Sequence, residues 1–259
     1  MKTSSEINGV SIVMAVKDNL EWTRKGIESI RSHTKVPYEL IVVDNGSARE
    51  TAEYLEGAAD TLIRNDENRG CAGAWNQGIL AAKRAHVCIV NNDIEVPTSW
   101  LEKLLDLLNA SDYVMVSPAI REGDFDYDLD QYNREFASRL SNRVFPSEYR
   151  GVVLLSNRNL YDRVGLFDEG YQIGKYEDED MFMRIKADGH DVATTSSVLV
   201  HHYGSKTVKS EKRSSFDFER HNRSLFLRKW RRKYFWRKAR KMRIRWRQRA
   251  VRRQFNVTY

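Results

Sequence analysis

Cysteine, proline and glycine are all scarce in this chain of 259 residues, which contains 2, 4 and 14 of them respectively. The two cysteines, Cys71 and Cys88, exclude a disulfide-rich scaffold and favour a reducing compartment. So few prolines and glycines exclude a collagen-like or low-complexity chain. No stretch reaches the roughly 18 consecutive apolar residues that span a bilayer. The segment MKTSSEINGV also lacks the apolar core of a signal peptide. We therefore expect a protein that is soluble or lies on a membrane surface.

Acidic residues are missing from the last part of the chain. Residues 228–259 contain 15 lysines and arginines and no aspartate or glutamate. Because the whole chain has 43 basic and 36 acidic residues, the remainder has 28 basic and 36 acidic residues and a net charge of −8. An acidic body with a strongly basic tail predicts an anionic partner for the tail alone.

Residues 10–120 alternate apolar, β-branched runs with segments of helical periodicity. The run VSIVMAV at 10–16 predicts a strand that is buried on both faces. Further strands are predicted at YELIVVD, DTLIRN, HVCIVNND and YVMVSPAI, and helices at EWTRKGIESIRSH, ARETAEYLEG, CAGAWNQGILAAKRA and TSWLEKLLDLL. This alternation predicts an α/β fold with a mostly parallel, Rossmann-like sheet flanked by helices.

The alternation breaks after Ile120. Residues 121–150 are polar, aromatic and without clear periodicity, so we expect an irregular segment there. A short strand at GVVLLS, a short helix at NRNLYDRVG, a helix at EDEDMFMRIKADG and a strand at VATTSSVLVHHYGS follow. The basic, aromatic tail is predicted to be helical.

Polar residues follow three of the predicted strands at their carboxyl ends. They are Lys17-Asp18-Asn19, Asp44-Asn45-Gly46-Ser47 and Asn91-Asn92-Asp93. Ligands of α/β sheets bind at this edge, so the three strand ends are expected to line one pocket. An aspartate flanked by amides suits a Mg²⁺ ion that is shared with a diphosphate. The alternative is an ordinary turn, in which Asn and Asp are common.

Three more segments are candidates for chemistry. The small residues of NRGCAGAWNQG (68–78) would let an anion approach a helix N-terminus closely, or would let the helix pack tightly on the sheet. The crowded carboxylates of YEDED would raise one another's pKa, as suits a general base, or would be solvated acids that match the helix dipole. His201 and His202 point to opposite faces of a strand, so at most one of them is a metal ligand rather than a structural histidine.

Taken in order, these motifs resemble family 2 glycosyltransferases of the GT-A fold. The segments that carry the resemblance are VSIVMAVKDN, LIVVDNGS, NRGCAGAWNQGI, IVNNDIEVPTSWLEKLL, VGLFDEGY, YEDEDMFMRIKADGH and HHYGSKT. They cover residues 9–207, and ERHNRSLFLRKW (219–230) extends them. The order and spacing of the segments are far more specific than any single motif.

The resemblance implies an inverting, metal-dependent transfer of a hexosyl or deoxyhexosyl group from a nucleotide-diphosphate sugar. The donor, linked to UDP, dTDP or GDP, would be held by two groups of residues. The strand ends supply Ala15, Val16, Lys17, Asp44, Asn91 and Asn92, and the segment at 68–76 supplies Asn68, Gly70, Ala74 and Asn76.

The resemblance also implies a metal site and a catalytic base. The metal-binding DxD motif corresponds to Asn91-Asn92-Asp93, so Asp93 is the expected ligand of Mn²⁺ or Mg²⁺. The late histidine of the family corresponds to His202, with His201 as the alternative. The base of the family's ED motif corresponds to Asp178, with Glu177 and Asp180 beside it.

Three positions depart from the family pattern. Asn91 replaces the first aspartate of DxD, which leaves fewer charges for the metal. Lys17 stands where an aromatic residue often stacks on the base, so it is expected to contact phosphate instead. Arg69 replaces a commoner apolar residue, and the resemblance assigns it no role.

The implied domain organisation has two parts. Residues 1–207 form the glycosyltransferase domain, with a nucleotide-sugar half at 1–120 and an acceptor and catalytic half at 121–207. Residues 208–259 form a basic, aromatic helical extension. The extension suits the anionic inner face of the cell membrane, where a glycan or lipid-linked acceptor for surface polysaccharide would lie. The alternatives are packing on the acidic body or in a homo-oligomer, and binding of nucleic acid. For the whole chain, the alternative to a transferase is a catalytically silent module that binds nucleotide sugars or glycans.

Overall fold

The computed structural model describes residues 9–204, 217–231 and 257–258. The strands are β1 (Val10–Val16), β2 (Tyr38–Asp44), β3 (Thr61–Arg64), β4 (His86–Val90), β5 (Ile94–Glu95), β6 (Tyr113–Glu122), β7 (Val144–Pro146), β8 (Val153–Asn157), β9 (Asp191–His202) and β10 (Val257–Thr258). The helices are α1 (Leu20–His33), α2 (Arg49–Ala58), α3 (Gly70–Ala81), α4 (Trp100–Asn109), α5 (Leu129–Arg139), α6 (Leu160–Val164), α7 (Glu177–Ala187) and α8 (217–231). Most of the predicted basic tail, residues 208–216, 232–256 and 259, lies outside the described residues.

A ten-stranded sheet organises the fold, in the order β3-β2-β1-β4-β8-β6-β9-β5, with β10 beside β6 and β7 beside β9. The first four strands are parallel, as predicted. The sheet is more mixed beyond β4 than the sequence predicts, because β8 lies antiparallel between β4 and β6. Among the described strands beyond β4, parallel pairing returns only between β6 and β9. The predicted α/β class is nevertheless confirmed.

Two apolar layers cover the two faces of the sheet. Alternate residues of β1 show the division, since Ile12 and Met14 pack in one layer while Val13 packs in the other. The first layer holds α1, α2 and α4, and the second holds α3, α7 and α8. Burial of both faces explains the continuous apolar runs of the central strands.

The expectation of an irregular segment at 121–150 is wrong. The segment contains α5 and β7, and Asp128 caps α5 by accepting a hydrogen bond from the Gln131 N–H at 2.7 Å. Phe136 and Phe145 pack in a third small cluster. The helix has few apolar residues, so its helical periodicity is weak in the sequence. Its buried residues are held by contacts with distant parts of the chain.

None of the helices in the described ranges is both long enough and apolar enough to cross a bilayer.

Candidate active site

The carboxyl ends of β1, β2 and β4 meet at a small cavity of about 120 Å³. α3 forms a second side of it, and the turn before α7 closes it. We call it the small cavity. Its lining consists of Ala15, Val16, Lys17, Asn45, Asn68, Cys71, Trp75, Asn91, Asn92, Asp93, Ile173 and Gly174. The structure therefore brings together the polar ends of the three predicted strands.

Side-chain amides shape the wall between β2 and α3. Asn45 donates from Nδ2 to Asn68 Oδ1 at 2.8 Å, and its Oδ1 accepts from the Arg69 N–H at 3.0 Å. Asn68 Oδ1 also accepts from the Gly70 N–H at 2.9 Å. The last two bonds satisfy the backbone N–H groups of Arg69 and Gly70 at the start of α3. Asn68 therefore helps to determine where this helix begins.

A larger cavity of about 500 Å³ adjoins the small one. The two share Cys71, Trp75, Asn91 and Gly174, so they form one continuous site. The rest of the large cavity is strongly acidic. Its other lining residues are Glu122, Gly151, Val152, Lys175, Tyr176, Glu177, Asp178, Glu179, His202 and Glu219.

Asp93 and His202 form a buried pair at the junction of the cavities, and the more exposed Glu122 lies against the other side of the histidine ring. His202 Nε2 lies 3.1 Å from Asp93 Oδ1, and His202 Nδ1 lies 3.2 Å from Glu122 Oε1. The Asn91 amide lies 3.4 Å from the same Nε2. Burial alone would lower the pKa of His202, but its hydrogen bonds to the two carboxylates raise it to about 9. The two carboxylates therefore stabilise a positive charge on His202.

His201 points to the other face of β9. Its Nδ1 lies 2.8 Å from the hydroxyl of Tyr127, and its side chain is fully buried. Burial, with Arg121 nearby, lowers the pKa of His201 to about 4. The structure thus separates the two histidines, and it puts His202 rather than His201 beside Asp93.

The start of α7 supplies the carboxylates of the large cavity. Asp178 accepts a hydrogen bond from the Glu179 N–H at 2.8 Å and lines the cavity. Glu177 is 5% exposed, and its Oε2 has no hydrogen-bond partner among the described residues. Burial and the neighbouring charge of Asp178 raise the pKa of Glu177 to about 8.

Asp180 does not face either cavity, contrary to its grouping with the candidate bases. It is fully buried, and it accepts hydrogen bonds from Arg184 at 2.9 Å, Lys229 at 2.8 Å and Trp230 at 2.7 Å. A helix turns about 100° per residue, so Asp178 and Asp180 point in different directions. Asp180 joins α7 to α8.

Four predicted donor-binding residues lie behind the cavity wall rather than in it. Asp44 is buried and accepts from the Ser47 N–H at 2.9 Å. Asn76 is bonded to the backbone of Phe167 in both directions at 2.9 Å. Gly70 begins α3 against the backbone of Ile173, and Ala74 is fully buried.

Several lining residues were not among the sequence candidates. Trp75 and Cys71 lie on α3 within the small-residue segment that drew attention for its glycines. Glu122 ends strand β6 just as Asn91 follows β4, so the rule of polar strand ends could have found it. Gly174, Lys175 and Glu219 carry no comparable sequence signal, because only the tertiary fold brings them to the cavity.

The sequence model for glycosyl transferase family 2 matches residues 11–165 of the chain, which is more than half of it. A protein of Rickettsia typhi (strain ATCC VR-144 / Wilmington), described as an uncharacterized glycosyltransferase, is 26% identical over 227 residues. That similarity covers 77% of this chain and 70% of the Rickettsia protein.

Two solved structures resemble the fold over about three quarters of the chain. GalNAc-T7, crystallised with UDP, GalNAc and Mn²⁺, has a TM-score of 0.60 and 17% identity, over 78% of this chain and 44% of that one. Residues 1–349 of S. aureus TarS give a TM-score of 0.57 and 13% identity, over 76% and 60% of the respective chains. At such identities the likeness establishes the fold alone.

Proposed function

Because the chain belongs to glycosyl transferase family 2, we propose that this glycosyltransferase moves a hexosyl or deoxyhexosyl group from a nucleotide-diphosphate sugar to a hydroxyl group. The acceptor is a glycan or a lipid-linked glycan of surface polysaccharide synthesis. The reaction inverts the anomeric centre and requires a divalent cation. One observation carries the proposal: Asp93 and His202 meet where the small cavity opens into the cavity that contains Asp178.

The small cavity suits the nucleotide diphosphate. It lies at the carboxyl edge of the parallel strands, where α/β sheets bind ligands. Lys17 lies on its rim, 3.3 Å from Asp18 and bonded to the Gly46 carbonyl. An ammonium group at this position would attract phosphate oxygens. The structural neighbour GalNAc-T7, which holds UDP in its crystal, supports a nucleotide-sugar donor.

The residues at the junction fit a Mn²⁺ or Mg²⁺ ion that would be coordinated by both the protein and the donor. Asp93 offers a carboxylate, and His202 offers a ring nitrogen once the ion displaces its proton. Glu122 holds the second ring nitrogen, as partners of metal-bound histidines commonly do. Among the described residues no group of three or more His, Cys, Asp or Glu side chains forms a candidate metal site, so the donor's phosphate oxygens and water would complete the coordination. When bound, the ion neutralises charge on the leaving diphosphate.

Asp178 is the proposed catalytic base. Its carboxylate lies in the large cavity, on the same continuous site as Asp93. It removes the proton from the acceptor hydroxyl as that oxygen attacks the anomeric carbon from the side opposite the diphosphate. One in-line displacement inverts the configuration and needs no covalent intermediate, so a single base is sufficient.

The donor and the cation are tested together by thermal unfolding. UDP-, GDP- and dTDP-sugars are each added with and without Mn²⁺. A ligand at 100 times its dissociation constant raises the free energy of unfolding by about 2.7 kcal/mol, which is easily detected. Asp93→Asn should abolish the Mn²⁺-dependent part of the shift, whereas Asp106→Asn on the exposed side of α4 should retain it. A shift that is equal with and without Mn²⁺ would refute the cation site.

The base is tested with the donor that this panel identifies. Asp178→Asn should abolish transfer while donor binding persists, because the acid group contacts the acceptor rather than the nucleotide. Full transfer by Asp178→Asn would exclude Asp178 as the base. Binding of the donor without transfer by the unaltered protein, across a wide acceptor panel, would favour the silent binding module.

We further propose that α8 contributes to binding at an anionic membrane surface. Four arginines lie on its outer face, where they line a groove of about 670 Å³ with Leu227. They are Arg220, Arg223, Arg228 and Arg231. The arginines would attract anionic lipid headgroups, and Leu227 would contact the apolar acyl region. The aromatic residues of the basic tail that follow lie outside the described residues.

Vesicle sedimentation separates the possible partners of this face. Binding to vesicles with anionic lipid, but not to neutral ones, should weaken as salt is raised, because charges are screened over about 10 Å at 0.1 M. Arg220→Gln combined with Arg223→Gln should weaken it further. Retention of a nucleic acid on filters without vesicle binding would reject the membrane proposal.

A further inference from the structure

We propose that Asn222 of α8 is a positioning residue, which holds the turn at 172–176 in place as a wall of both cavities. In this turn, Ile173 and Gly174 line the small cavity, and Gly174, Lys175 and Tyr176 line the large one. The expected effect of Asn222 on glycosyl transfer rests on the proposed function, whereas its effect on the conformation of the turn does not.

The turn has a backbone that does not hold its shape unaided. Ile173, Lys175 and Tyr176 have φ values of 56°, 73° and 76°. These values lie in the left-handed region, which L residues seldom adopt and which is most unusual for a β-branched residue such as Ile173. Such a conformation persists only when the surrounding structure enforces it.

A single buried side chain bonds to most of the turn. Asn222 Oδ1 accepts from the Gln172 N–H at 2.9 Å. Its Nδ2 lies at hydrogen-bond distance from three carbonyl oxygens, at 2.9 Å from Gln172, 2.9 Å from Gly174 and 3.1 Å from Lys175. Asn222 is fully buried, so solvent does not reach its amide to replace these hydrogen bonds. Buried amides of this kind are costly to leave unpaired.

α8 is well placed to act as the support. Phe226 is fully buried and its ring lies 5.4 Å from the ring of Tyr176. One turn further on, Lys229 and Trp230 are bonded to Asp180 of α7. The helix is thus anchored at two places, and Asn222 lies on the anchored side, opposite the arginine face.

Cys71 reports on the turn without any substrate. The Cys71 N–H donates to the Ile173 carbonyl at 2.7 Å, and Cys71 Sγ lies 3.3 Å from the position that a Cβ on Gly174 would take. The turn therefore packs against one side of the thiol, which is otherwise partly exposed to the cavities. Cys88, the other cysteine, is fully buried in the sheet and reports on global unfolding.

The test is the rate at which a thiol reagent modifies Cys71 in the folded, ligand-free protein. Asn222→Ala should increase this rate at least about tenfold, which corresponds to about 1.4 kcal/mol, while Cys88 stays unmodified. Trp230→Phe is the matched control, since it removes a bond of α8 to α7 and leaves the turn's bonds intact; its Cys71 rate should stay near that of the unaltered protein. Amide hydrogen exchange of residues 172–176 should accelerate in Asn222→Ala alone.

Two outcomes would overturn the proposal. One is an unchanged Cys71 rate in a folded Asn222→Ala protein, and the other is an equal increase in Trp230→Phe. If Asn222→Ala does not fold, Asn222→Ser gives the same reading with a smaller polar group in place. Because no nucleotide is present, failure here is distinguishable from failure of the proposed transferase activity. With the donor identified, Asn222→Ala should also raise its KM, an effect that Trp230→Phe should not share.

Discussion

Adding one methyl group at Gly151 should disable the proposed base without unfolding the protein. A Cβ on Gly151 would lie 2.5 Å from Asp178 Oδ2, whereas ordinary contacts of a Cβ begin at 3.4 Å. The oxygen would therefore have to move by about 0.9 Å. Gly151 has a backbone that L residues adopt, since its φ is outside the left-handed range. The strain then falls on the carboxylate rather than on the main chain.

The expected magnitude follows from the displacement. A misplacement of roughly 1 Å in a reacting group costs about 100-fold in rate, or about 2.7 kcal/mol in activation free energy. The free energy of unfolding should change by less than about 1 kcal/mol, because the displaced oxygen is the end of a side chain at a cavity. Gly→Ala also reduces the entropy of the unfolded chain, which offsets part of the strain.

The assay is release of the nucleotide from the donor at saturating acceptor, together with thermal unfolding. Gly57→Ala is the matched control, since nothing lies within 4 Å of the added methyl and Gly57 lies in α2. It should leave kcat unchanged and raise the free energy of unfolding by about 0.5–1 kcal/mol. Full activity of Gly151→Ala, beside an inactive Asp178→Asn, would refute the geometric reasoning. Full activity of both would exclude Asp178 as the base.

Three further predictions concern other parts of the protein. Burial raises the pKa of Glu177 to about 8, so ionisation of this buried carboxyl destabilises the fold progressively as the pH rises from about 4.5 to 8. Glu177→Gln, which cannot ionise, should therefore stabilise the protein more at pH 9 than at pH 5 in thermal unfolding, and an equal effect at both pH values would contradict this. Gly78→Ala should lower the free energy of unfolding by about 1–3 kcal/mol, because its Cβ would lie 2.2 Å from Val13 Cγ1; denaturation beside Gly57→Ala tests it. The identified nucleotide with Mn²⁺ should slow thiol modification of Cys71, which lines both cavities, and an unchanged rate would place the nucleotide elsewhere.

Local pattern was enough to predict the parallel strands β1 to β4 and the helices between them. The central strands are buried on both faces, so their sequences are apolar throughout, and polar residues begin where each strand ends. That rule located Lys17, Asn91 and Asp93 at one edge, and the structure brings them to one cavity. The rule failed for Asp44, which ends β2 but whose carboxylate accepts a hydrogen bond within the wall. The family resemblance likewise gave Asn76, whose amide is bonded to the backbone of Phe167 instead of facing the cavity.

Features set by long-range packing could not be predicted from local pattern. The position of β8 between β4 and β6 depends on how residues distant in sequence pack together. The same holds for Asp180, which bonds to residues 49 and 50 positions further along the chain, although Asp178 and Glu179 beside it line a cavity. Asn222 is similar, since nothing near it in sequence indicates a partner at 172–175.

The choice between the two adjacent histidines depends on the register of β9. Along the parallel pair of β6 and β9, the partner changes from Thr195 opposite Pro118 to Leu199 opposite Ala119. The three extra residues of β9 bring His202, rather than Leu199, opposite Glu122. Moving a strand by one residue exchanges its two faces, so a register shifted by one would present His201 to Asp93 instead. The proposed cation site therefore depends on an irregularity within β9, several residues before the histidines, that no alternation of apolar and polar residues reveals.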